Sequence, residues 1–97
     1  MVYVDELRNY GLPRTGQARR YGTSWCHMAT DGELDELHAF AERIGLQRRW
    51  FQPHLSVPHY DLSPSRRSAA VAGGALEVSS VDLVQRCKPA RAGREAG

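Results

Sequence analysis

Two helix signatures, each set between runs of β-forming residues, constrain this chain more than any other feature. In the first, Thr30 and Glu33 have capping-box spacing, with Asp31 as an alternative N-cap. Leu34, Leu37, Phe40, Ala41 and Ile44 then recur at helical spacing, and Gly45 supplies the stop. In the second, Ser63 stands at the N-cap position and Pro64 at the first helical position, followed by an alanine-rich body that ends at Gly73-Gly74. A third, shorter helix is expected from Ser79 or Ser80 to about Cys87, before Pro89.

Between these helices the sequence reads as strands. Val2-Val4, Ser24-Met28, Arg48-Gln52 and Ala75-Val78 are the expected strands, with loops over residues 8–22 and 53–62. The order is β-β-α-β-α-β-α. Two successive strand–helix–strand units imply parallel pairing, so the fold class is α/β, a small, mostly parallel sheet of about four strands with three helices. The strand at Trp50 should run parallel to the strand ending at His27. Residues 1–88 form a single domain in this reading, and residues 89–97 a flexible tail.

The hydrophobic share of 41% and charged share of 25% suit a globular domain. A chain of 97 residues can bury about two-thirds of its unfolded surface. No apolar run reaches the roughly 20 residues of a membrane span. The acidic Asp5-Glu6 near the start does not fit a secretory signal. Cys26 and Cys87 are too few for a secreted disulfide scaffold. A soluble, cytoplasmic protein without a membrane partner is expected. The net charge of +2 implies no strong nonspecific pull on nucleic acid. Of 13 basic residues all but Lys88 are arginine, which suits phosphate and carboxylate and also fits a coding bias.

Open parallel sheets bind ligands beyond the carboxyl ends of their strands. That rim would carry Asp5, His27, His54, His59, Tyr60 and Asp61, then the helix start at Ser63, Ser65, Arg66 and Arg67. The helix start is a candidate anion cradle, since free N–H groups, hydroxyls and guanidinium forks converge there. The same residues also make an ordinary cap and a solvated face. His27 and His59 suit an acid–base pair, or a metal site together with Asp5 and Asp61; Asp61 would orient a histidine or bind a divalent metal with Asp5. The His54-x4-His59 spacing is a weaker zinc signal, because Cys26 and His27 are adjacent. His38, beside the apolar stripe, reads as a structural histidine. Cys26 and His27 should face opposite ways and form no thiolate pair.

The segments Trp25-Cys26-His27-Met28, Asp35-Glu36-Leu37-His38, Ile44-Gly45, Arg48-Arg49-Trp50-Phe51-Gln52, His59-Tyr60-Asp61 and Ser65-Arg66-Arg67 together resemble a family. It is the group of small bacterial and phage proteins catalogued as domain of unknown function 4031. The resemblance covers about Val2 to Val84 and implies that His27, His59, Tyr60, Asp61 and Arg67 match motif positions. It implies no activity. Two functions follow as expectations. One is an enzyme or ligand-binding domain for a phosphate-bearing small molecule such as a nucleotide. In it Tyr60, Ser63, Ser65, Arg66 and Arg67 bind the ligand. The other is an accessory protein for nucleic acid or a protein partner, using Arg14, Arg19, Arg20, Arg91 and Arg94. Oligomeric state is not legible.

Overall fold

The computed structural model describes residues 1–9 and 24–88. The expected tail and most of the expected 8–22 loop, with Arg14, Arg19 and Arg20, lie outside them. In chain order the described elements are β1 (Val2–Val4), β2 (Arg8–Asn9), β3 (Ser24–Thr30), α1 (Leu34–Arg43), a 3-10 turn (Arg48–Trp50), β4 (Tyr60–Leu62), α2 (Pro64–Ala72), β5 (Leu76–Glu77) and α3 (Ser80–Cys87). Among the described residues the fold is α/β with three helices, as expected.

The sheet differs from the expectation. It has five strands and is mostly antiparallel. β3 pairs antiparallel with β1, β2 and β4; the β1–β5 pair is parallel. The parallel strand expected at Trp50 is instead the 3-10 turn, in which Trp50 and Phe51 pack on the core without joining the ladder. The chain then bends through residues 53–58, and His59 and Gln52 bridge through paired backbone bonds of 3.0 and 2.8 Å. The strand that returns to β3 is therefore Tyr60–Leu62, in a stretch expected to be loop. Its alternation of polar and apolar residues, His59-Tyr60-Asp61-Leu62, is the period-two signal of a half-buried strand.

The helix boundaries follow local chemistry. Thr30 and Asp31 do not cap α1, because β3 runs on to Thr30, opposite Val2. The N-cap is Glu33, without a side-chain bond, and the Thr30 hydroxyl donates instead to Glu36 at 2.8 Å. The stop at Gly45 is a Schellman motif: Leu46 N–H bonds Ala41 O and Gly45 N–H bonds Glu42 O. Gly45 has φ +85, and a Cβ there would collide with the Arg66 guanidinium. α2 starts as expected, with Ser63 accepting from Arg66 N–H and Pro64 in the first turn. α3 starts at Ser79, which accepts from Asp82 N–H.

Alternation along the strands divides the interior in two. One face carries Val2, Val4, Cys26, Met28, Tyr60 and Leu62, packed against Leu37, Phe40 and Ala41 of α1 and Ala70 of α2. The other carries Tyr3 and Ala29, packed with Val57 and with Leu83 and Cys87 of α3. His27 shares the parity of Ala29, and Asp61 is its cross-strand partner, so both belong to the α3 face. No described helix is long and apolar enough to cross a membrane.

Candidate functional site

The site begins with an irregularity between β1 and β3. From the Val4↔Met28 pair to the Arg8↔Trp25 pair, one strand has three residues, Asp5 to Leu7, against two, Cys26 and His27. An extra residue of this kind bends the strand and re-aims a side chain. Asp5 is the residue affected. Its backbone N–H still reaches His27 O at 3.2 Å, but its carboxylate takes the place of a ladder carbonyl and accepts His27 N–H at 2.6 Å. The other carboxylate oxygen lies 2.9 Å from His27 Nδ1 and accepts the Ser80 hydroxyl at 3.0 Å. Asp5 is only 1% exposed, and burial pushes its pKa up. The bonds from the His27 ring, the His27 backbone and Ser80 outweigh that and hold the carboxyl below its ordinary value. An ionised carboxylate only accepts, so His27 Nδ1 carries the proton and Nε2 is the basic nitrogen of the neutral ring.

His59 is oriented independently. Its Nδ1 is 2.7 Å from Val57 O, an acceptor, so this ring also has its proton on Nδ1. Val57 is packed with Leu83 and Cys87, which fixes that carbonyl. His59 Nε2 faces Asp61 Oδ1 at 3.4 Å, and Gln52 Nε2 donates to Asp61 Oδ2 at 2.9 Å. Cross-strand pairing sets Asp61 opposite His27, and the two imidazole rings stand edge to face at 5.0 Å. One ligand atom from each of His27, His59 and Asp61 falls within 4.8 Å of the others. The His59 and Asp61 side chains are 13% exposed and that of His27 32%, so the cluster is rooted in the fold and open at one edge. His54 adjoins it, with its ring 6.2 Å from that of His59.

A family model described as a protein of unknown function, DUF4031, matches residues 2–90. The chain belongs to the DUF4031 family. No curated protein and no solved structure matches it.

The remaining expected site residues of this DUF4031 chain are placed elsewhere. Tyr60 points into the core on the other sheet face, and its hydroxyl meets His38 Nδ1 at 2.8 Å. Ser63 is buried as the α2 cap and lies 3.4 Å from the Ser65 hydroxyl. Arg66 donates to Ile44 O at 2.7 Å, closing the end of α1. Arg67 donates to Asp5 O at 2.8 Å and to Glu77 at 3.1 Å, so it braces the backbone beneath the site. These groups secure the helix start and its neighbours rather than converging on the imidazoles. Asp5 likewise holds His27 from behind instead of standing beside Asp61. Cys26 is fully buried on the core face, where burial pushes its thiol up to about 12.

Three residues with roles at the site escaped the sequence reading: Gln52, Ser80 and Val57. Gln52 was hidden by treating residues 48–52 as a strand. Pairing across a hairpin that closes at Gln52 and His59 is the signal that finds it. Ser80 was visible as a helix start, but its reach to Asp5 depends on where α3 lands. Val57 acts through its backbone carbonyl, which no residue type advertises.

Proposed function

We propose that this DUF4031 chain is a small α/β enzyme or ligand-binding domain that takes a phosphate-bearing small molecule, such as a nucleotide, at the edge formed by His27, His59 and Asp61. One observation carries the reading: two imidazoles, each with Nδ1 tied to a fixed acceptor, stand edge to face with ring centres 5.0 Å apart. A ring held this way accepts a proton at Nε2 or, once protonated, donates from it to an anionic oxygen. Asp61 gives the edge a second polarity. Arg67, bonded to Asp5 O and paired with Glu77, braces the strand end beneath this edge. Convergent histidines favour a small-molecule site over the accessory nucleic-acid reading, whose arginines lie outside the described residues.

The test is thermal unfolding against a panel of nucleotides, sugar phosphates and inorganic phosphate. A ligand at 100 times its Kd adds about 2.7 kcal/mol, which for a domain of this size is a rise of roughly 10–20 °C in Tm. The expected result is such a rise for at least one anion, lost in His27→Gln and His59→Gln. A flat response across the panel refutes the phosphate reading.

A further inference from the structure

The geometry points to a divalent transition-metal site in which His27 Nε2, His59 Nε2 and one Asp61 carboxylate oxygen are the ligands. This goes beyond the substrate reading and holds whether or not the ligand carries phosphate. Two ligand atoms about 2.1 Å from one ion, at angles of 90–110°, stand roughly 3.0–3.4 Å apart. His59 Nε2 and Asp61 Oδ1 are 3.4 Å apart. One ligand atom from each of the three residues lies within 4.8 Å of the others, so binding an ion would draw the corners together. Two imidazoles and one carboxylate on adjacent strand positions are a three-ligand face, which leaves further positions on the ion for water or substrate.

The supporting groups are those that metal ligands use. A ligating histidine gives its other ring proton to a carboxylate or a backbone carbonyl, which fixes the tautomer and raises basicity. Here Asp5 serves His27, the Val57 carbonyl serves His59, and Gln52 holds the second oxygen of Asp61. An ion pair between His59 and Asp61 would account for one edge of this triangle. It would not account for separate supporting bonds on all three corners. The donor set of two nitrogens and one oxygen suits Zn2+ or Fe2+ and is a poor match for Mg2+, which prefers oxygen ligands. Asp5, expected from the sequence to be a ligand, is thereby a positioning residue.

Calorimetric titration of the metal-stripped chain with Zn2+, and with Mg2+ for comparison, tests this. One Zn2+ per chain should bind, with Mg2+ far weaker. His59→Ala and Asp61→Ala should each remove saturable binding, with circular dichroism confirming that each variant is folded. Asp5→Asn should weaken Zn2+ 10–100-fold, because an amide in that place can donate to Nδ1 and move the ring proton to Nε2. Absence of saturable Zn2+ binding overturns the site. So does unchanged affinity in folded His59→Ala and Asp61→Ala, or a loss confined to His54→Ala, which would move the ion to a surface histidine. The two proposals fail separately. Zn2+ binding with a flat nucleotide panel removes the phosphate reading alone, and a nucleotide response in protein that binds no Zn2+ removes the metal alone.

Discussion

His38 and His59 lie on opposite faces of one sheet, each within reach of β4. On the α1 face, His38 is buried against Phe51 and meets the Tyr60 hydroxyl at 2.8 Å. On the α3 face, one residue along the strand, Asp61 stands between His59 and its cross-strand partner His27, and these side chains keep 13–32% of their surface. The first histidine has a neutral partner and is sealed in. The other two are held at Nδ1 by a carboxylate and a carbonyl acceptor, and their side chains keep more of their surface. What separates the sealed histidine from the two partly exposed ones is the sheet face each lies on and the partner at Nδ1, not residue type.

The sharpest test of this division is to damage the packed face alone. Leu37 is fully buried between α1 and the sheet. Leu37→Ala should cost about 2–5 kcal/mol, through lost burial and the cavity left behind. Urea denaturation would measure it. Zn2+ affinity of the folded variant should stay within about twofold of the parent, since changes at separated sites act independently. A stability loss below that range would show that the helical face packs more loosely than its burial implies.

A smaller effect compares the histidines directly. His38→Ala opens a gap beside Phe51 and leaves the buried Tyr60 hydroxyl short of a partner, which should cost about 1–3 kcal/mol. His59→Ala removes a partly exposed ring with one carbonyl bond and looser contacts to Asp61 and His27, so its cost should stay at about 1 kcal/mol. The order should reverse for Zn2+ and nucleotide binding, where His59 matters and His38 does not. If His59→Ala proved the more destabilising, the cluster on the α3 face would be structural.

The packed face was largely legible in the sequence. Leu37, Phe40 and Ala41 were placed in the core from helical spacing, and Ser63-Pro64, Gly45 and Gly73-Gly74 marked helix ends that the fold uses. The open face was harder. His27, His59 and Asp61 come together, yet the route was wrong: they meet through antiparallel register, where a parallel rim was expected. The strand Tyr60–Leu62 carries a period-two alternation, but over only three residues, and the prolines around it read as loop. The aromatic run at Trp50-Phe51 had the better β propensity and lost, because the 3-10 turn and the residue after it pack both rings, partly buried, on the core without pairing the backbone. Arg66 and Arg67 looked like anion donors because sequence does not show which carbonyl each guanidinium will meet.

The last and smallest effect is the acid response of the packed face. Burial lowers the pKa of His38 below its ordinary 6.5, and Arg48 acts in the same direction, together outweighing Asp35 and Glu42. The folded chain therefore holds a proton on this ring less readily than the unfolded chain does. As pH falls through 6.5, the unfolded chain takes up the proton first, and the equilibrium moves toward unfolding. The stability tied to a neutral His38 is fully present above the ordinary value and is lost as pH falls toward the depressed one. Urea midpoints of the parent should fall between about pH 7.5 and pH 5.5 by more than those of His38→Gln, which has no proton to gain. The Gln side chain keeps a donor and an acceptor near the Tyr60 hydroxyl, so the comparison isolates titration from the loss of the bond. Parallel pH profiles for the two proteins would show that His38 gains its proton as easily inside the fold as outside. The contrast between a sealed imidazole on one face and open ones on the other would then fail at its buried end.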